Sequence, residues 1–324
     1  MALFIPFSIR RFLFANSAHV PVPISRLVTD WATSPIGDDW DWISYIEQDG
    51  WNGHWIGRDI HKKQGDIDLV ILYLHGGGFT YGHSTMYMPT FRFIIDQLSK
   101  IHHINAHILS VNYSLSPEHP WPKASKECLD AYRYLICKMA ASRIIIAGDS
   151  AGGNLVANIL LNIKSSNQTL PMPAGAALVS PWIDIAPKLS SFNDIISPLH
   201  FHLYTQHYIP GYASLQQNER NEYLRNPLVS PFYGAYHGAC PLLVTFGENE
   251  LLSESISAFI QRLLKDGCHV DMIKGKQAAH IWMIFPFMSR TKRHFQSDCE
   301  KMISWIADRH RKNRFEKIKN TSEF

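Results

Sequence analysis

The clearest pattern along the chain is a series of short, unbroken apolar runs at near-regular intervals: 69–74 (LVILYL), 107–111 (HILSV), 143–147 (RIIIA), 176–180 (AALVS) and 242–246 (LLVTF). Each is continuous where a half-buried strand would alternate, so each predicts a strand covered on both faces. Between them, segments 88–99, 125–139, 154–164 and 254–265 space their apolar residues at helical intervals. Strand and helix in alternation predict an α/β fold, a mostly parallel sheet with helices on both sides. Segment 51–58 (WNGHWIGR) reads as an added antiparallel edge strand and 270–274 as the last strand.

Two stretches break this rhythm. Residues 1–50 precede the pattern, and residues 184–227, rich in His, Tyr and Gln, separate two core strands. Long insertions between core elements are more often functional lids than plain loops. The organisation expected is therefore an N-terminal cap segment (1–50), a core (51–183 and 228–308), a cap insertion (184–227) and a basic C-terminal tail (309–324).

Composition narrows the functions on offer. Of the 324 residues, 46% are hydrophobic and 18% charged, with a net charge of +3, which excludes a disordered chain. Residues 309–324 alone carry six basic and two acidic residues, so the rest of the chain is close to neutral and lacks the basic face of a nucleic-acid binder. The five cysteines are scattered without a C-x-x-C, and this favours a reduced, cytoplasmic setting. At the N-terminus, Arg10 and Arg11 follow the apolar run MALFIPF, the reverse of a signal peptide. That segment is expected to pack on the body or touch a membrane surface peripherally.

The chemistry concentrates in a few motifs. Gly148-Asp149-Ser150-Ala151-Gly152 fits G-x-S-x-G and stands between a predicted strand and a predicted helix, the context a nucleophile elbow requires. Alone, such a match arises in about one chain in ten by chance at ordinary composition. The run His75-Gly76-Gly77-Gly78-Phe79, directly after strand 69–74, adds specificity. Its glycines let backbone N–H groups converge on an anionic oxygen, and no G-x-x-x-x-G-K-[ST] phosphate loop competes for that reading. Gly76, Gly77 and Ala151 are the expected oxyanion donors, with His75, Gly78 and Asp149 in support. A serine hydroxyl needs a base, which in chain order follows an acid. His280, after the last strand, is the expected base. Glu250 in GENELLSES is the preferred acid, ahead of Glu248 and Glu254. Glu118, in the proline-rich 113–122, either braces the elbow from beneath or is an ordinary solvated loop residue. The histidine clusters 102/103/107 and 200/202/207 lack H-E-x-x-H and are read as surface or cap residues, so no metal or other cofactor is expected.

Together, HGGGF at 75–79, YSLSPEHPWP at 113–122, GDSAGGN at 148–154, ENELL at 248–252 and HIW at 280–282 resemble the hormone-sensitive-lipase-like family of α/β hydrolases, in family order. The resemblance implies an α/β-hydrolase fold with a helical cap. It also implies hydrolysis of small-molecule esters with short to medium acyl groups, without a cofactor, and pairing into a homodimer through the last strand and helix. Amide or lipid-ester hydrolysis on the same residues, and a non-catalytic receptor on the same scaffold, are the rival readings. Ser114 and Ser116 replace the family's usual Arg and Ala and are expected to loosen the bracing under the site.

Overall fold

The structure, a computed structural model, describes residues 8–10, 19–58, 60–61, 67–165, 170–187 and 194–321, with backbone alone for 165 and 313–321. Eight strands form one sheet: β1 (Ile43–Gln48), β2 (Trp51–Ile56), β3 (Leu69–Leu74), β4 (Ala106–Val111), β5 (Ile144–Asp149), β6 (Gly175–Val179), β7 (Leu242–Gly247) and β8 (Val270–Gly275). Their order is β1-β2-β4-β3-β5-β6-β7-β8. The pairs β1/β2 and β2/β4 are antiparallel and all others parallel.

The unbroken apolar runs take both faces inward. In β3, Val70, Leu72 and Leu74 join a core with Leu155 of α4 (Ala151–Ser165) and Phe259 of α7 (Ser253–Lys265). Leu69, Ile71 and Tyr73 join the opposite core with Phe91 of α2 (Met88–His102) and Met302 of α8 (Lys292–Thr321). Helix α3 (Lys123–Lys138) lies on the same side as α4. Burying a Leu, Ile or Val side chain is worth roughly 1.5–3 kcal/mol, so a sheet left wet on one face would forgo about half of the strand contribution.

Two expectations need correction. The antiparallel strand at residue 51 is not the edge: β2 lies between β1 and β4, and β1, assigned to the N-terminal cap segment, forms the edge. Its ISYIEQ sequence is buried at Ile43 but exposed at Tyr45, so it lacks the apolar run that marks the others. The hairpin signal was Asp49-Gly50, where Gly50 adopts φ +85°. The basic tail is not a separate unit either, since α8 runs unbroken from Lys292 to Thr321. The stretches expected to form a cap contain α1 (Val22–Thr33), α5 (Pro198–Tyr208) and α6 (Gln217–Arg225).

In a parallel sheet the loops after the carboxyl ends of the strands share one rim, where such folds place their sites. Here the glycine run, Ser150, Ser180, Glu250 and His280 all follow such ends. Packing at the rim is tight: a Cβ on Gly152 would stand 1.9 Å from the Leu74 carbonyl oxygen and 2.6 Å from that of His75. Gly152→Ala is expected to destabilise the protein by about 3 kcal/mol through overpacking against backbone. Urea unfolding checks this, and an unchanged midpoint contradicts the close approach.

Candidate active site

Ser150 sits between β5 and α4 with φ +52°, a left-handed conformation that costs a non-glycine residue about 1–3 kcal/mol. Its backbone is held on both sides: its N–H donates to the Val179 oxygen at 2.9 Å, and its carbonyl accepts from Trp182 N–H at 2.9 Å and Asn154 N–H at 3.2 Å. The turn lifts the side chain onto the rim. Directly after it, the first turn of α4 offers unpaired N–H groups and the positive end of the helix dipole.

Asp149 connects this elbow to the glycine run. Fully buried, its Oδ1 accepts from Tyr73 OH at 2.8 Å and Gly76 N–H at 3.0 Å, and its Oδ2 from Tyr87 OH at 2.7 Å. Burial pushes its pKa up to about 6, against the pull of these donors. The bond corrects one expectation. The Gly76 amide is committed to Asp149 and is not an oxyanion donor; Gly77, Gly78 and Ala151 donate to no acceptor among the described residues. Gly77 (φ +107°) and Gly78 (φ +61°) need the freedom that glycine gives. His75 stacks on Tyr113 at 4.2 Å and bonds the Gly76 carbonyl through Nδ1 at 2.7 Å, while burial drops its pKa to about 3. It is a neutral structural histidine.

Of the three glutamates after β7, the fold brings one to His280. Glu250 is completely buried, with Oε2 3.8 Å from His280 Nδ1, an ion-pair separation longer than a hydrogen bond. The same oxygen accepts from Ser180 Oγ at 2.7 Å and Gly247 N–H at 2.9 Å. Glu248 instead accepts from Gln277 N–H on the surface, and Glu254 is exposed in the first turn of α7. Burial raises the Glu250 pKa. Burial lowers that of His280, but Glu250, Asp194 and Asp149 more than offset it, and the net shift is upward.

Glu118 is not a brace beneath the elbow but the solvated loop residue of the other reading. It stands at the surface and takes a two-pronged salt bridge from Arg26 of α1, at 2.9 and 2.8 Å. Arg26 also donates to the Thr80 and Ser116 carbonyls, so the pair ties the N-terminal helix to the segments flanking the glycine run. Ser114 is itself anchored: its N–H and Oγ both donate to the buried Glu127 carboxylate. His107 is a buried residue of β4, not a surface one. Helix α5 packs on the glycine run: Tyr208 stacks on Phe79 at 3.7 Å and Tyr204 occupies the space a Gly78 Cβ would take. Sequence reasoning missed Ser180 and Asp194. Ser180 merely ends an apolar run and Asp194 lies in the cap insertion, and neither has a local motif.

An alpha/beta hydrolase fold family model matches residues 71–284. The chain belongs to the hormone-sensitive-lipase-like family of α/β hydrolases. It is 28% identical to an acetyl-hydrolase of Streptomyces hygroscopicus over 71% of this chain and 73% of that one. To an esterase of Acinetobacter venetianus it is 29% identical over 64% of each. Against human hormone-sensitive lipase it is 34% identical over 40% of this chain, but spans 12% of that protein. Among solved structures, an esterase from the bacterial hormone-sensitive lipase family superposes with a TM-score of 0.74 at 25% identity, covering 95% of this chain and 97% of that one. The hydrolase is thus of the esterase/lipase type. No helix among its described residues is long and apolar enough to cross a membrane.

If His280 acts as a base it must be neutral, so kcat/KM should fall as pH drops through its raised pKa, on the high side of the ordinary 6.5. Removing the Glu250 charge lowers that pKa. Glu250→Gln is therefore expected to shift the acid limb of the pH–rate profile to lower pH and to cut kcat by about 10²- to 10⁴-fold. An unmoved limb contradicts the pairing.

Proposed function

We propose that this hydrolase is a serine carboxylesterase acting on small-molecule esters with short to medium acyl groups through an acyl-enzyme intermediate. The supporting observation is the convergence on one rim of a strained serine, three uncommitted backbone amides and a buried Glu–His pair. Ser150 Oγ bonds to the ester carbonyl carbon while its proton passes to His280 Nε2. Glu250, facing Nδ1, orients the ring and balances the imidazolium. The carbonyl oxygen, now an anion, is held by the Gly77, Gly78 and Ala151 amides. As the C–O bond breaks, His280 returns the proton to the leaving alcohol. Water activated by the same imidazole then hydrolyses the acyl-serine.

The burial of Ser150, with 6% of its surface exposed, favours compact acyl groups. The similarity to an acetyl-hydrolase points the same way. Ser150→Ala is expected to lower kcat on p-nitrophenyl acetate by about 10⁴- to 10⁶-fold. Across a chain-length series, kcat/KM should be greatest for two to four acyl carbons, roughly the reach of a site walled by aromatic rings. Activity that survives the substitution, or rises steadily to long chains, contradicts the proposal.

A further inference from the structure

The cap insertion contributes a carboxylate to this site. Asp194, 4% exposed, lies before α5 and is sequence-distant from both loops it meets. Its Oδ2 accepts from Leu251 N–H at 2.9 Å, and its Oδ1 accepts from His280 N–H at 3.2 Å and from its own neighbour Ile195 N–H at 2.7 Å. Leu251 follows the candidate acid and His280 is the candidate base. One carboxylate therefore spans the acid and base loops. We infer that Asp194 is a positioning residue for the reaction, fixing the base loop against the acid loop and so setting the geometry of the Glu250–His280 pair.

The backbone at this point needs such an anchor. Ile281, the residue after the base, has φ +49°, a conformation that crowds a β-branched side chain. Ser180, also left-handed at φ +45°, accepts from Ile281 N–H at 3.1 Å while donating to Glu250. Two successive amides, of His280 and Ile281, are thus held by side chains from two other segments. Among the described contacts, Asp194 acts on the His280 backbone and Ser180 on the Ile281 backbone and the Glu250 carboxylate, so neither duplicates the other. A carboxylate suits the position because three N–H donors converge on its two oxygens, and an Asn side chain presents one acceptor oxygen. Its charge also faces the imidazole, together with Glu250 and Asp149.

This inference rests on the esterase reading, so wild-type turnover of p-nitrophenyl acetate is the first measurement. If the wild type is inactive, that reading fails before Asp194 is tested. Given an active wild type, Asp194→Asn is compared with it by kcat, KM and the pH dependence of kcat/KM, corrected for the folded fraction by circular dichroism. The expected result is a 10- to 100-fold fall in kcat, little change in KM, and an acid limb displaced to lower pH. Asp194→Glu keeps the charge but moves the oxygens, and is expected to lower kcat with the limb in place. It also serves if the Asn variant does not fold. A structural role alone would reduce the folded fraction while leaving kcat per folded molecule and the pH profile as in wild type. That outcome, in either variant, overturns the inference.

Discussion

The buried carboxylate of Asp149 is the joint on which the rim depends. It follows the last apolar residues of β5 and immediately precedes Ser150, so it is fixed to the elbow covalently and to the glycine run by its bond to Gly76. Tyr73 and Tyr87 donate two further hydrogen bonds to it from β3 and the start of α2. A buried carboxylate without such donors would cost several kcal/mol, which ties the two tyrosines to the same cluster. Gly76 is committed to this joint, whereas the next two amides of the run and the first of α4 donate to no acceptor among the described residues.

The other half of the rim is built on strain held in place by contacts. Ser150, Ser180 and Ile281 all adopt positive φ, and all three bond across strand ends. Ser150 bonds β6 and the segment after it, Ser180 joins β7 to the loop after β8, and Ile281 bonds Ser180. Strain of this kind persists only where surrounding structure over-determines it. The result is a rim whose serine backbone, acid carboxylate and base-loop backbone are each tied to neighbouring segments by hydrogen bonds.

Much of this was legible in the amino-acid sequence because the signals are local. A strand buried on both faces must be apolar throughout, and the elbow and glycine run need their glycines at fixed offsets. The preference for Glu250 over Glu248 and Glu254 came from its place in the motif; in the fold Glu250 is the one of the three turned inward, to Ser180 and Gly247. What was misread, left open or missed depended on distant partners. The fate of the Gly76 amide is set by a side chain 73 residues away, Glu118 answers to Arg26 across 92 residues, and Asp194 acts 86 residues from His280. The edge strand β1 was missed for a different reason: an exposed edge need not be apolar, and its hairpin turn was the stronger signal.

The central claim is that Ser150 is made nucleophilic by its surroundings. Treating the folded protein with a fluorophosphonate and mapping the adduct by mass spectrometry tests it directly, because the reagent bonds to an activated hydroxyl and leaves ordinary serines unmodified. The account predicts one adduct per chain, on Ser150, lost when His280 is replaced by Ala. An unlabelled protein that is folded and intact would contradict it, and would recast the same rim as a binding site without chemistry.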